Sequence, residues 1–277
     1  MTGVIIGRFM PPHNGHRYLW DFAQSIVSRL YILVCTLEGE PIEGRLRYGW
    51  VRAMAPGARV VHVTERIPGA ERGQAGAIKL WADGVARFVP EAVDVVFASE
   101  DYGWELAEHL RARFMPVDPN RDNIPVSASA IRNDPFVYWR YIPREVRPFF
   151  VRHVAVHRNT QLATELARKL ETVVVHSYRD FWQHRRDEQR PNGHHDLSDE
   201  ELQQGTTSSA AALAFHANRV LIHSTQSDAD LIGAARLDLI VADRSAQIDA
   251  KLAGVPRIAA DGVDRDGILN RLRATFD

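Results

Sequence analysis

Two imidazoles stand three residues apart near the start of the chain, in the stretch GRFMPPHNGH that runs from Gly7 to His16. A helix that opens at Gly15 and His16 would present free N–H groups and the positive end of its macrodipole, which both favour anions. His13 would lie just outside such a helix and His16 in its first turn, so the rings can converge on one point. With the permanent cation of Arg8, the stretch predicts a polyphosphate site rather than a simple helix cap.

A second group of polar residues occurs later, in VDPNRDNIPVSASAIRNDPF. Ser127 and Ser129 precede a short helix that we expect to start at Ile131 and Arg132, and Arg121 adds a further cation. Hydroxyls, free N–H groups and guanidinium groups together predict another anion cradle, although a serine N-cap alone would explain the serines. Combined with the two imidazoles, this stretch strengthens the prediction of a polyphosphate site.

These residues need a scaffold, and the first half of the chain predicts one. The short apolar runs GVII, LYILVC, ARVVHV, VDVVFAS and FMPV alternate with amphipathic stretches, which indicates a parallel sheet with helices on both faces. Ligands of such sheets bind beyond the carboxyl ends of the strands. The predicted fold is therefore α/β, a Rossmann-like doubly wound sheet, with the stretch from Gly7 to His16 at its ligand-binding edge.

The pattern changes at DPFVYWRYIPREVRPFF, which we interpret as a packed connection between two domains, 1–147 and 148–277. A second alternating series (VRHVAV, a helix near residues 160–170, TVVVHS, RVLIHS and LDLIVA) predicts a smaller α/β domain. Within it, the polar stretch that contains His184, His194 and His195 matches no usual metal-ligand spacing. We interpret this stretch as a solvated loop.

The composition and net charge of the chain limit the classes of protein to which it can belong. The 277 residues are 45% hydrophobic and 25% charged, with a net charge of −1, so the chain has the balance of a soluble globular protein and no basic field for nucleic acid. Its one cysteine, Cys35, lies in an apolar run and fits a reducing compartment. We expect a cytoplasmic protein without nucleic-acid or membrane partners, and the sequence leaves a homo-oligomer open.

The two polar stretches resemble the signatures of a known superfamily. GRFMPPHNGH is similar to G-x-F-x-P-x-H-x-G-H, and SASAIR to S-x-[ST]-x-I-R, of the HxGH nucleotidyltransferases. More narrowly, EGRLR, FASEDYG, VDPNR and NDPFVYWRYIPREVRPFFVRHVAV resemble the bifunctional NadR-type proteins. In those proteins a nicotinamide mononucleotide (NMN) adenylyltransferase precedes a ribosylnicotinamide kinase domain. The resemblance is dense from Gly3 to Val156 and thin afterwards.

The resemblance implies transfer of the adenylyl group of ATP to NMN, which gives NAD and pyrophosphate, with Mg²⁺ accompanying ATP. It implies catalytic roles for His13, His16 and Arg132, with His16 nearest the α-phosphoryl group. The residues expected to bind ATP are Gly7, Arg8, Phe9, Gly15, Arg121, Ser127, Ser129 and Ile131.

For the acceptor, the resemblance implies that Trp81 stacks on the nicotinamide ring, a favourable pairing of a cationic ring with an indole face. Periodicity alone favours a core tryptophan on an amphipathic helix. Arg45 and Arg47 are candidates for the NMN phosphate, although a solvated helix face explains them almost as well.

Two alternatives stay open. One is a sibling enzyme with another phosphorylated acceptor, such as a cytidylyltransferase or a pantetheine-phosphate adenylyltransferase. Class I aminoacyl-tRNA synthetases share the HxGH element, but SASAIR lacks the lysines of their KMSKS-like loop. The other alternative is a regulatory protein that binds NAD or ATP without turnover.

The second domain resembles a P-loop kinase that has lost its phosphate-binding residues. A P-loop needs G-x-x-x-x-G-K-[ST] directly after its first strand, whereas VRHVAV is followed here by His157-Arg158-Asn159-Thr160-Gln161. Where relatives end a later strand in I-D-T-D, this chain has Ile222-His223-Ser224-Thr225. Whether the domain descends from a kinase or never was one, we expect no ribosylnicotinamide kinase activity.

Overall fold

The computed structural model describes residues 1–65, 76–175, 218–226, 237–248 and 250–276. The chain divides into two compact units, Met1–Val146 and Arg147–Asp277, one residue before the division expected between residues 147 and 148. The predicted loop with His184, His194 and His195 lies outside the described residues. Within the described ranges, every helix is too short or too polar to cross a bilayer.

The first unit is built on five parallel strands: β1 (Thr2–Gly7), β2 (Arg29–Cys35), β3 (Arg59–Val63), β4 (Val95–Ala98) and β5 (Arg113–Pro116). Its helices are α1 (Asn14–Ile26), α2 (Gly44–Met54), α3 (Ala77–Phe88), α4 (Tyr102–Leu110) and α5 (Ala128–Asn133), followed by a 3₁₀ turn at Trp139–Tyr141. The strand order is β3-β2-β1-β4-β5, so the order reverses between β1 and β4. This arrangement confirms the predicted doubly wound α/β sheet.

Both faces of this sheet are buried. Successive side chains of a strand point to opposite faces, and each set packs against helices. Val4 and Val96 belong to one core cluster with Val85 of α3. Phe97, the next residue on β4, instead meets Phe22 of α1, with 6.5 Å between ring centroids. Parallel strands covered on both faces read as continuous apolar runs, which is the pattern that the sequence shows.

The second unit contains another five-stranded parallel sheet, made of β6 (Arg152–His157), β7 (Val174–Val175), β8 (Val220–Thr225), β9 (Leu239–Ala242) and β10 (Arg257–Ala259). The strand order is β10-β9-β6-β8-β7. Its described helices are α6 (Arg147–Phe150), α7 (Thr160–Lys169), a 3₁₀ turn at Ala250–Leu252, and α8 (Arg265–Phe276). Leu166 of α7 and Leu272 of α8 share a core cluster with Ile222 of β8. The predicted second α/β unit is confirmed.

Candidate active site

The stretch from Gly7 to His16 lies at the carboxyl edge of the first sheet, where the strand order reverses. β1 ends at Gly7, and α1 begins at Asn14. The crevice beside such a reversal is the usual ligand site of doubly wound sheets. The two imidazoles are therefore at the position expected for a ligand site.

His13 and His16 stack on one another, with 3.7 Å between ring centroids and 24° between ring planes. His13 is the N-cap residue of α1, and its backbone N–H donates to Nδ1 of His16 at 3.2 Å. His13 thus lies just outside the helix and His16 in its first turn, as predicted. Because Nδ1 of His16 accepts a hydrogen bond, a neutral His16 ring carries its proton on Nε2 and is a donor there.

Burial keeps both imidazoles neutral near pH 7. Desolvation, with a further contribution from the charge of Arg121, lowers the pKa of His13 to about 3. Desolvation also lowers the pKa of His16 well below its usual value, and His13 and Arg121 act in the same direction. Nδ1 of His13 is buried without a hydrogen-bond partner in the described part of the chain. Unpaired buried nitrogens are rare, so this atom is a candidate for contact with a ligand.

The two glycines of the stretch make room for rings of the protein itself. A Cβ on Gly7 would lie 2.6 Å from Cζ of Phe9, and one on Gly15 would lie 3.0 Å from Nδ1 of His13. Phe9 is buried, has a φ of 45°, and meets the His16 ring edge-on at 5.0 Å. Phe9 therefore supports the imidazole pair. Close approach of a nucleotide to the backbone of the two glycines stays a prediction.

Helix α5 brings the second polar stretch to the first. Arg132 donates from Nη1 to the carbonyl oxygen of Met10, 122 residues away in sequence, and from Nη2 to Oγ of Ser129 at 3.2 Å. Ser127 is the N-cap residue of α5, and its Oγ accepts from the N–H of Ala130 at 3.1 Å. The two stretches that were paired on chemical grounds are thus neighbours in space.

Two expectations about this helix are wrong. α5 begins at Ala128 and not at Ile131, because the Ser127 cap starts the helix earlier, and Ser129 therefore lies in its first turn. The Ile131 side chain is fully buried, and its N–H donates to the carbonyl oxygen of Ser127. Ile131 therefore anchors α5 in the core and is not an ATP contact.

Arg121 comes from the loop between β5 and α5. Its guanidinium lies 3.8 Å from the Glu100 carboxylate, and both side chains are 44% exposed. In the same loop, Cγ2 of Ile124 lies 3.7 Å from the position of a Cβ on Gly15. The loop therefore covers the amino end of α1, and its cation acts on both imidazoles.

The structure contradicts both sequence interpretations of Arg47. Its side chain is fully buried, so it neither lies on a solvated helix face nor reaches a ligand phosphate. Its guanidinium donates to the carbonyl oxygens of Ile42 at 2.9 Å, Arg8 at 2.6 Å and Cys35 at 3.3 Å, and it pairs with the Glu40 carboxylate. Arg47 therefore ties together three segments at the carboxyl edge of the sheet.

Sequence reasoning missed Glu40, the anion of this network. Its side chain is 7% exposed, and it accepts from Nε of Arg8 at 2.8 Å and from the N–H of Leu37 at 3.0 Å. The bond holds the Arg8 side chain, which is 59% exposed, at the end of β1. The run EGEPIEGRLR has the charge pattern of a solvated loop, so the sequence gives no signal that one acid and one arginine of it are buried.

The candidate acceptor residues lie on α2 and α3. Trp81 is partly buried and packs against the core cluster that contains Val85. Arg45 is exposed in the first turn of α2. The pKa of His62 is lowered mainly by desolvation, with smaller contributions from the charges of Arg47 and Arg45. The roles of Trp81 and Arg45 toward NMN stay predictions.

A stacked pair of rings at the end of β3 was also missed. Tyr48 lies over His62 with 5.0 Å between ring centroids and 9° between planes, and Nε2 of His62 lies 3.0 Å from Oγ1 of Thr36. These residues are far apart in sequence and belong to no motif. They form an aromatic surface beside the candidate acceptor residues of α2.

The amino-acid sequence of this chain is similar to those of two known proteins. No family model matches the chain. The trifunctional NAD biosynthesis/regulator protein NadR of Escherichia coli (strain K12) is 31% identical over 172 residues, and the protein of the same name from Salmonella typhimurium (strain LT2) is 30% identical over the same length. These alignments cover 56% of this chain and 42% of each relative, so the chain matches less than half the length of these relatives.

Solved structures extend the likeness to the second unit. Crystal structures of NadR protein in complex with NR, and in complex with NAD and AMP-PNP, give TM-scores of 0.73 and 0.72. Each comparison covers 99% of this chain and 96% of the other at 16% identity, a level that shows the fold. The chain is therefore similar to NadR in sequence over the aligned 172 residues, and it shares the fold of the NadR structures over nearly its whole length.

Proposed function

We propose that the first unit transfers the adenylyl group of ATP to NMN, forming NAD and pyrophosphate. The observation that carries this proposal is the stacked pair of His13 and His16 at the amino end of α1, joined to α5 through Arg132. The names of the two relatives include NAD biosynthesis, and one related structure holds NAD and AMP-PNP.

The reaction is an in-line displacement at phosphorus. A phosphate oxygen of NMN attacks the α-phosphorus of ATP, a new P–O bond forms, the bond from the α-phosphorus to the bridging oxygen breaks, and pyrophosphate leaves. No protein nucleophile is needed, so catalysis rests on positioning and on stabilisation of developing charge. In the proposed arrangement, the neutral His16 donates its Nε2–H to the α-phosphoryl group, and His13 lies beside it.

The leaving pyrophosphate is the proposed ligand of the arginines. Arg132, with Ser127 and Ser129, would hold it, assisted by Arg121 and Arg8. A guanidinium has five N–H donors, so Arg132 can bind Met10 and Ser129 and still donate to phosphate. Mg²⁺ would arrive on the triphosphate, since it is usually held by substrate phosphates. The described residues contain no group of three or more His, Cys, Asp or Glu that suits a metal.

The acceptor side of the proposal rests on Trp81, with Arg45 as a candidate for the NMN phosphate. An indole face attracts the positively charged nicotinamide ring. Trp81 is partly buried and packs against the core cluster that contains Val85, so it lies between the core and the surface of the first unit.

Incubation of the full chain with ATP, Mg²⁺ and NMN is expected to yield NAD and pyrophosphate in equal amounts, measured by chromatography. Parallel reactions with nicotinate mononucleotide and with pantetheine phosphate distinguish pyridine nucleotides from the acceptor of a sibling enzyme. Binding of ATP without product from any acceptor would contradict the proposal and favour a regulatory protein.

We further propose that the second unit has no ribosylnicotinamide kinase activity. Where a P-loop would follow β6, polar groups bind one another. Asn159 caps α7 by accepting the N–H of Leu162 at 2.9 Å, and Oγ1 of Thr160 receives hydrogen bonds from Ser224 Oγ at 3.3 Å and Gln226 Nε2 at 2.7 Å. Groups that would bind a phosphate are thus engaged within the protein.

Ribosylnicotinamide supplied with ATP and Mg²⁺ in place of NMN is therefore expected to give neither NMN nor NAD. Subsequent addition of NMN to the same mixture should start NAD formation, which shows that the first unit is active there. Formation of NMN from ribosylnicotinamide and ATP would contradict the proposal for the second unit.

A further inference from the structure

One carboxylate organises the loop between β5 and α5. Oδ1 of Asp118 accepts hydrogen bonds from the backbone N–H and the side-chain amide of Asn123, both at 3.1 Å, and Oδ2 accepts from the N–H of Ile124 at 3.2 Å. The carbonyl oxygen of Asp118 accepts from the N–H of Arg121 at 3.0 Å. These bonds close a turn that contains Arg121.

The turn holds two residues other than glycine in the left-handed region: Asp118 with a φ of 49° and Arg121 with a φ of 58°. Aspartate tolerates this region better than most residues, whereas arginine adopts it only where neighbouring interactions impose it. Desolvation would raise the pKa of Asp118, but hydrogen bonds from Asn123 and Ile124 outweigh it and lower that pKa. The ionised carboxylate is thus the group that fixes the turn.

Two observations connect this turn with the imidazole pair. Ile124, whose N–H binds the carboxylate, lies over Gly15 at the amino end of α1. The charge of Arg121 lowers the pKa of both His13 and His16. The place of this cation beside the rings therefore depends on the bonds that Asp118 accepts.

We propose that Asp118 is a positioning residue for nucleotide binding, which acts by holding the guanidinium of Arg121 beside His13 and His16, where it meets a phosphate of ATP. The inference rests on the proposed function, because it takes ATP to be the ligand of Arg121. Charge alone would give the opposite effect, since a carboxylate near a polyanion repels it.

Asp118→Asn conserves the shape of the side chain but removes its charge and one acceptor. This change is expected to weaken the binding of ATP with Mg²⁺ by about tenfold, the order expected when hydrogen bonds to a charged group are lost. Asp122→Asn is the matched control, because it removes the same charge from an exposed neighbour in the same loop. There the affinity for ATP should stay the same or rise slightly. Isothermal titration calorimetry on the full chain, without acceptor, measures both.

A double-mutant cycle separates positioning from general stability. If Asp118 acts through Arg121, the Asp118→Asn/Arg121→Ala variant binds ATP as weakly as Arg121→Ala alone. A further loss of about tenfold in the double variant would overturn the inference, since effects that add are independent. An equal loss in Asp122→Asn would overturn it too. Failure of the parent protein to bind ATP would instead refute the proposed function, whereas parental binding with additive losses would refute only the role of Asp118.

Discussion

His16→Ala is expected to slow the formation of NAD from ATP and NMN by about 100-fold or more, the usual effect of removing one preorganised donor to a developing charge. The proposed donor is Nε2, because Nδ1 accepts the N–H of His13. His16→Asn separates the two nitrogens, since the amide oxygen can replace Nδ1 as acceptor while nothing replaces Nε2. Both variants should be equally slow when kcat is measured at saturating ATP and NMN.

His109→Ala is the matched control for these variants. This histidine is partly exposed on α4, with its Nε2 3.8 Å from the Glu105 carboxylate, and its removal should leave kcat at the parental value. His16→Asn should also melt near the parental temperature, because it retains the cap of α1. Parental turnover in His16→Asn would show that His16 serves only as a cap, and would exclude it from the catalytic step.

Arg47→Met is expected to lower the free energy of unfolding of the first unit by about 3–5 kcal/mol, because it removes the buried partner of the Glu40 carboxylate. Glu40 would keep only Arg8 and the N–H of Leu37, and three carbonyl oxygens would lose a donor. Urea unfolding followed by tryptophan fluorescence measures this loss, since five of the six tryptophans lie in Met1–Val146.

Arg45→Met provides a comparison on the same helix. Arg45 is exposed, and its loss should change the free energy of unfolding by less than about 0.5 kcal/mol. Glu40→Gln in the Arg47→Met background should restore part of the stability, because the carboxylate that has lost its buried partner is then neutral. Similar losses for Arg45→Met and Arg47→Met would contradict the structural role of the buried guanidinium.

The parts of the fold that the sequence predicts well are those set by local pattern. β2 and β4 are buried on both faces and read as apolar runs, which is why the order of strands and helices was predictable. His13 and His16 were placed correctly relative to α1 because a cap and a first turn involve only neighbouring residues. The pairing of the two polar stretches followed from their shared affinity for anions.

The parts that were missed depend on contacts between distant segments. Burial of Arg47 is decided by carbonyl oxygens of Arg8, which follows β1, and Cys35, which ends β2, and neither leaves a trace in the sequence around residue 47. The start of α5 depends on which of two serines accepts an N–H, and the pattern SASAIR does not decide between them. The Phe9 ring fills the space that a Cβ on Gly7 would need. This position of the ring requires a left-handed backbone at Phe9, which is rare for a bulky residue.

The buried guanidinium of Arg47 binds main-chain oxygens, and this makes mutational tolerance at the edge of the sheet uneven. Every amino acid carries a backbone carbonyl, so as far as this network is concerned the side chains at positions 35 and 42 are free to vary, whereas the Arg8 side chain also binds Glu40. The guanidinium at position 47 and the carboxylate at position 40 have no such freedom, since loss of the carboxylate would leave the buried guanidinium without its paired anion, and loss of the guanidinium would leave the carboxylate with the exposed Arg8 as its cation. Among related chains, arginine at position 47 and glutamate at position 40 should therefore be kept together or lost together, while the loops that they connect diverge around them.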